Sequence, residues 1–258
     1  MSSTPTCFRI YTGADGESHV EDLAFGKPGT PMELATAFPA VALSFRRTNA
    51  GSEHGFHHAP RRQFVVIAAG GLEVMNGLGE TRRLGPGSVM LAEDRTGKGH
   101  QANTDAGVDR VSLNLALELH ALDSPSGPTV PSGITYVSIY PGDDGKSHFR
   151  EVELQAPASP DGGPVIPPWM PVKDAHFASY PPGQPERMRD LHPAPRRQFL
   201  VTLAGEMEMI AGDGESRVFG PGAVLLAEDM GSSGHRNRIV SDEPWHSLVI
   251  VLEEEAST

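Results

Sequence analysis

Cysteine is almost missing from this chain. Cys7 is the only one, so no disulfide can close within it. That usage fits a reducing compartment. Cations are also in deficit: 21 Lys and Arg stand against 33 Asp and Glu, a formal net charge of −12. Such a surface repels nucleic acid and anionic membrane, so neither is expected as a partner. No run approaches the roughly 18 apolar residues of a membrane helix. The opening MSSTPTCFRIYTG has neither a basic nor an apolar segment, so no secretory signal is expected. The expectation is a soluble cytoplasmic protein, monomer or homodimer, whose partner is a small molecule. Long helical periodicities are lacking too, whereas Gly (29) and Pro (23) are frequent, which favours many short strands and turns. No Ser-His-Asp, Cys-His or phosphate-loop pattern is present. Cys7 has no counterpart in the repeat described next, so a catalytic thiol is not expected.

What the chain does have is a duplication. HHAPRRQF (57–64) and HPAPRRQF (192–199) differ only at the second position. Residues 57–100 align without gaps on 192–235, with more than half of the positions identical, and the match continues weakly from VSLNLALE to HSLVIVLE. Upstream, IYTGADGESHVED (10–22) corresponds to IYPGDDGKSHFRE (139–151). A repeat of this length is a whole domain rather than a solenoid unit. The Pro/Ser/Gly-rich stretch DSPSGPTVPSG reads as a linker. Residues 1–122 and 134–258 are thus expected as two domains joined by 123–133. A second Pro-rich stretch, 155–172, is expected on the surface of the second domain.

Within each copy the pattern is β. QFVVIAAG and QFLVTLAG are apolar runs of strand length, and GLEVM and GEMEM alternate as half-buried strands do. NGLGE and AGDGE read as hairpin turns, and GPGSVMLAED and GPGAVLLAED as Pro-Gly turns into buried strands. ELATAFPAVAL (33–43) is expected to hold a short helix.

On these motifs each half resembles a cupin, and the whole chain resembles a bicupin. The first family motif, His-x-His with a Glu five residues on, corresponds to HHAPRRQFVVIAAG and HPAPRRQFLVTLAG. The second corresponds to GPGSVMLAEDRTGKGH (85–100) and GPGAVLLAEDMGSSGH (220–235). The resemblance implies an all-β chain of two tandem double-stranded β-helix (jelly-roll, cupin) domains. It covers most of both halves but departs at the metal ligands. Gln63 and Gln198 replace the Glu, Pro193 replaces His58 in the second copy, and the shared His57 and His192 lie one residue out of phase. Only His100 and His235 fall where the family's final His falls.

The resemblance implies one divalent transition metal (Fe, Mn, Ni or Zn), or none in this variant. The first copy is the better candidate, through His58, Gln63 and His100, with His57 as the alternative to His58. One arginine of Arg61-Arg62 and of Arg196-Arg197 should point inward. An inward guanidinium needs a partner, because an unpaired buried charge is costly. That partner is either the repeated Glu93-Asp94 and Glu228-Asp229 pair or a substrate oxyanion. The DGxSH turns (Asp15 to His19, Asp144 to His148) read as capped turns, or else as arms carrying a His to the other domain.

The function expected is an enzyme acting on a small oxygenated organic molecule, of lyase, isomerase, cyclase or metal-dependent oxygenase type. Its candidate catalytic residues are His57, Arg61, Gln63 and His100, and their repeats His192, Arg196, Gln198 and His235. The alternatives are a non-catalytic small-molecule binder or sensor with degenerate metal sites, and a structural bicupin.

Overall fold

The computed structural model describes residues 4–119, 133–154, 169–183 and 190–253. The linker expectation, and most of the Pro-rich stretch, fall outside these residues. The first half holds β1 (Cys7–Thr12), β2 (Ser18–Asp22), β3 (Ala42–Thr48), β4 (Glu53–His57), β5 (Gln63–Ala69), β6 (Leu72–Met75), β7 (Thr81–Leu84), β8 (Val89–Glu93), β9 (His100–Thr104) and β10 (Arg110–Ala116). The second holds β11 (Ile134–Pro141), β12 (Ser147–Leu154), β13 (Met170–Tyr180), β14 (Gln198–Ala204), β15 (Met207–Ile210), β16 (Ser216–Phe219), β17 (Val224–Ala227), β18 (Arg236–Ile239) and β19 (Trp245–Leu252). The described residues contain no α-helix, and hence none long and apolar enough to cross a membrane.

Twelve strands form one sheet in the order β12-β11-β17-β14-β19-β13-β3-β10-β5-β8-β1-β2. Read from its middle, each side runs through matching strands of the two copies, so the sheet is pseudo-symmetric about the β13–β3 join. That join pairs Met170 with Leu43 and Pro171 with Ala42. The sheets β4-β9-β6-β7 and β16-β15-β18 cover the inner faces and complete the two barrels. The fold is thus all-β, two tandem jelly rolls.

Alternation assigns the side chains of the repeated strand. Gln63, Val65 and Ile67 face the first barrel, whose interior also buries Phe8, Ile10, Leu72, Val74 and Met90. Phe64 and Val66 face the opposite way, into an apolar cluster shared by both halves with Phe45, Phe177 and Phe199. The Pro-Gly turns cross between the halves. A side chain at Gly87 (φ +83°) would meet Leu203 O at 2.1 Å, and one at Gly222 (φ +86°) would meet Ala68 O at 2.2 Å.

The helix expected over 33–43 does not form. Ala35 N–H donates to Phe177 O and Phe38 N–H to Ala175 O, both at 2.8 Å, so this segment is tied to β13 of the other half by two isolated bridges, with Ala35 at φ +60° between them. Phe38 stacks on Phe177 and packs at a tilt against Phe64, and Pro39 follows it. Tertiary burial of Phe38 and the absent N–H of Pro39 outweigh local helix propensity.

Candidate functional site

The DGxSH turns set up the site from a distance. His19 Nε2 bonds Asp15 Oδ1 at 3.0 Å and His148 Nε2 bonds Asp144 Oδ1 at 2.9 Å, each within its own turn. These are capped turns. They do not carry a His to the other domain, since β1 and β2 lie at one outer end of the sheet and β11 and β12 at the other. The serine of the motif is the structural payload. Ser18, fully buried, donates to Gly99 O (2.6 Å) and accepts from Gly77 N–H (2.7 Å). Ser147 does the same with Gly234 O and Gly212 N–H, both at 2.8 Å. Each serine therefore anchors the glycine that precedes His100 or His235. Those glycines have φ of +74° and +83°, and a Cβ on either would lie 2.1 Å from the backbone at His57 or His192. Only glycine lets the two chain segments approach this closely.

That approach brings together the two histidines shared by the copies. His57 and His100 are cross-strand partners in β4 and β9, with ring centroids 4.5 Å apart. His192 and His235 form an equivalent bridge, with centroids 4.8 Å apart. Behind the second histidine stands a fully buried aspartate. His100 Nδ1–H donates to Asp94 Oδ2 at 2.6 Å, and His235 Nδ1–H to Asp229 Oδ2 at 2.8 Å. His57 Nδ1–H donates to Gly55 O (2.8 Å), and His192 Nδ1–H to Asp190 O (3.3 Å). In every ring the proton sits on Nδ1, which leaves Nε2 with its lone pair. Partial burial holds the His57 pKa below the ordinary histidine value, with the neighbouring His100 adding to it.

Each pair opens onto a cavity. The first barrel's cavity, about 330 Å³, is lined by His54, His57, His58, Gln63 and His100 and by a second wall of Arg46, Arg110, Ser112 and Asn114. The second barrel's cavity, about 580 Å³, is lined by His192, Arg196, Gln198 and His235 and by a wall of His176, Tyr180, Trp245 and Ser247. Tyr180 and Trp245 stack at 5.5 Å, and Trp245 Nε1–H donates to Thr202 Oγ1 at 3.1 Å.

The arginine expectation needs correction. Arg61 is buried, as alternation requires, but its Nη1–H donates to Gln63 Oε1 (3.1 Å) and its guanidinium lies 4.8 Å over the Trp169 ring. It does not line the cavity. The repeated glutamates take the second, outward arginine of each pair: Arg62 to Glu93 at 2.6 Å and Arg197 to Glu228 at 3.0 Å. In the second copy neither arginine is buried, and Arg196 stands 4.0 Å from Asp174 at the cavity mouth. Asp94 and Asp229 serve the histidines instead.

His58, Gln63 and His100 share the cavity but do not fit a divalent ion. His58 Nε2–H is given to Gly97 O. Gln63 Oε1, the only ligating atom of that side chain, faces the Arg61 guanidinium. No carboxylate lines the cavity, while Arg46 and Arg110 do. A dication there would meet the guanidinium groups of Arg46 and Arg110 in a cavity that no carboxylate lines. Among the described residues no group of three or more His, Cys, Asp or Glu is arranged to hold a metal ion.

Arg46 and Arg110 were not singled out by the motifs, because they lie outside the repeated block. Arg110 is 8% exposed; its Nη2–H donates to Thr48 Oγ1 (2.9 Å), and its Nε–H has no protein acceptor. Ser112 is the cross-strand neighbour of Arg46. Burial brings the Arg46 pKa down to about 10, with Arg110 and Arg61 repelling it further, and burial brings Arg110 to about 10 as well.

No family model and no curated protein matches the chain. Solved structures do. One is a cupin 2 conserved barrel domain protein from Leptotrichia buccalis, 12% identical over 83% of this chain and 85% of that one, with TM-score 0.37. Another is oxalate decarboxylase from Bacillus subtilis, in a structure concerned with its Mn(II) centres: 14% identical, 100% and 79% covered, TM-score 0.32. A third is AerE from Microcystis aeruginosa: 10% identical, 98% and 100% covered, TM-score 0.31. At these scores the likenesses carry no argument about chemistry. The assignment of two tandem cupin-type jelly rolls rests on the strand order.

Proposed function

We propose that this bicupin binds a small oxygenated organic molecule in its barrels and moves a proton on it, in a reaction of lyase, isomerase or cyclase type. The observation that carries this reading is the duplicated set His57–His100–Asp94 and His192–His235–Asp229. In each set a buried aspartate fixes one imidazole tautomer and orients that ring against a second. Two adjacent imidazoles with available Nε2 atoms can take a proton at one ring and return it from the other. The aspartate fixes the tautomer and stabilises the imidazolium that forms in between. Gln63 and Gln198 would orient the substrate. The metal-dependent oxygenase branch is less well supported, because the donors of the first cavity suit an anion better than a cation.

The test is exchange of solvent deuterium into carbon acids. Full-length protein is incubated in D2O with a panel of small 2-oxo acids, hydroxy acids and 1,3-dicarbonyl compounds, followed by proton NMR. Exchange on at least one class is expected, falling about 100-fold or more in the His100→Ala, His235→Ala double variant, the size of a lost general acid–base. Absence of exchange across the panel, or a double variant that retains the full rate, would leave the non-catalytic binder as the correct reading.

A further inference from the structure

Beyond the paired histidines, the second barrel carries groups that the proton-transfer reading does not use. Its cavity of about 580 Å³ lies within the usual range of small-molecule sites. Leu200, Met207, Ala227 and Val249 give it an apolar lining, and Tyr180 and Trp245 add two aromatic rings. The charged lining residues are Arg196 and Asp190, one of each sign, and Arg196 also stands 4.0 Å from Asp174. A charged ligand would lose hydration there without meeting a surplus of the opposite sign. The remaining polar groups are uncharged. Gln198 and Asn237 supply amides. Ser247 lines the cavity from β19, between Trp245 and Val249; it is fully buried, and its Oγ has no hydrogen-bond partner among the described residues. The matching Ser112 has Asn114 Oδ1 at 3.4 Å, but Val249 takes the place of that asparagine in the second copy. A buried hydroxyl without a partner is costly, so a ligand that supplies one gains by doing so. His176 lies diagonally from Ser247 across the β13–β19 pair, on the same face. Burial, with Arg196 adding to it, holds its pKa below the ordinary histidine value, so its ring is neutral at pH 7 and can accept a proton in a hydrogen bond.

We propose that the second barrel is a binding site for an uncharged phenol-type molecule. Its aromatic ring lies against Tyr180 and Trp245 over the apolar lining, and its hydroxyl accepts from Ser247 Oγ–H and donates to His176. Aromatic rings attract a further ring beyond the area they bury, which favours such a ring over a saturated one. The site deepens the proton-transfer reading, on which it rests for its chemistry, by naming the substrate class of this barrel, and it is tested without turnover.

The chain has two tryptophans, so in full-length Trp169→Phe the emission of Trp245 reports the second cavity alone. This variant is titrated with 4-ethylphenol, excited beyond the phenol absorption band. The comparison ligands are 4-ethylcyclohexanol, with the ring saturated, ethylbenzene, without the hydroxyl, and 4-hydroxyphenylacetate, with a charge. Saturable binding of 4-ethylphenol is expected, and each comparison ligand should bind about threefold to tenfold more weakly or worse. Adding Ser247→Ala or His176→Leu should weaken 4-ethylphenol by about threefold to tenfold, the size of one hydrogen bond, and should leave ethylbenzene unchanged. Ser247→Ala removes a hydroxyl that has no partner, so its thermal midpoint should not fall, which separates lost binding from lost folding. The proposal is overturned if 4-ethylphenol leaves the Trp245 emission unchanged, if any comparison ligand binds as tightly, if Ser247→Ala binds as well as its parent, or if the midpoint of Ser247→Ala falls. Phenol binding without any deuterium exchange removes the proton-transfer reading alone. Exchange in a protein whose Trp245 emission ignores 4-ethylphenol removes the phenol site alone.

Discussion

The two barrels share one half of their site and differ in the other. Both keep the serine anchor, the positive-φ glycine, the paired histidines and the buried aspartate. Across the cavity, a wall of arginine and amide in the first barrel becomes a wall of aromatic rings in the second, where the volume is also larger. In this duplication the retained residues are those the fold and the histidine geometry both require. The copies disagree in the residues that line the opposite wall of the cavity.

The sharpest way to break the comparison is at the start of the last strand. Trp245 is 5% exposed, stacked on Tyr180 and bonded to Thr202. Its truncation to alanine should cost about 3 to 5 kcal/mol, as for other buried aromatics. Arg110 occupies the matching position, and replacing it with methionine removes a buried charge while keeping most of the volume. That change should be near neutral or stabilising, because apolar residues commonly match or exceed buried ions in stability. Thermal unfolding of the two variants checks this. A large loss for Arg110→Met would mean that Arg110, through its bond to Thr48, holds the barrel together.

A smaller effect should separate the two aspartates. Asp229 uses both oxygens, accepting from His235 and from Ala194 N–H at 2.9 Å. Asp94 accepts from His100, and its Oδ1 has no protein donor. In Asp229→Asn the amide NH2 must face another donor whichever way it turns, so the variant should lose about 2 kcal/mol. In Asp94→Asn the NH2 can take the unused position, and the loss should stay below about 1 kcal/mol. Equal losses in chemical denaturation would show that the two aspartates are not distinguished in this way.

Much of the fold was legible because it is written twice. The repeat located the matching strands, their turns and the shared histidines, and strand alternation pointed one arginine of each pair inward without saying which. The β3–β13 join was not legible, because it pairs Leu43 and Ala42 with Met170 and Pro171, in stretches that share no motif. The non-helical path of 33–41 was hidden for a related reason: its partner lies in the other half. At the site, the histidines and glutamines could be read, but Asp94 looked like a partner for arginine because the sequence does not say which side of the turn it faces. Arg46 and Arg110 were missed because attention fell on identity between the copies. The signal that would have found them is the opposite one: a charged residue facing an aromatic one, Arg110 against Trp245, on an otherwise repeated frame.

The smallest expected effect concerns another such disagreement. His246 in β19 matches Val111 in β10. Its ring is 9% exposed, lies 4.7 Å edge-on from Phe25, and has Nδ1 without a partner. Burial holds its pKa below the ordinary histidine value. In the unfolded chain the same group titrates near 6.5. As pH falls through about 6.5 the unfolded chain therefore takes up a proton that the folded chain resists, and stability declines until the folded pKa is passed. Burial lowers His57 and His176 in the same direction, so they add to the decline. The carboxylates held low, Asp15, Asp109, Asp144, Glu208 and Glu228, act only as pH falls through their unfolded values near 4 and do not enter this window. Replacing His246 with valine, the first barrel's residue, should flatten the fall of the thermal midpoint between pH 8 and 5.5 without abolishing it. The midpoint at pH 8 should scarcely move, since the ring is neutral there. A variant whose midpoint falls as steeply as that of the wild type would show that His246 is protonated as readily in the folded chain as in the unfolded one.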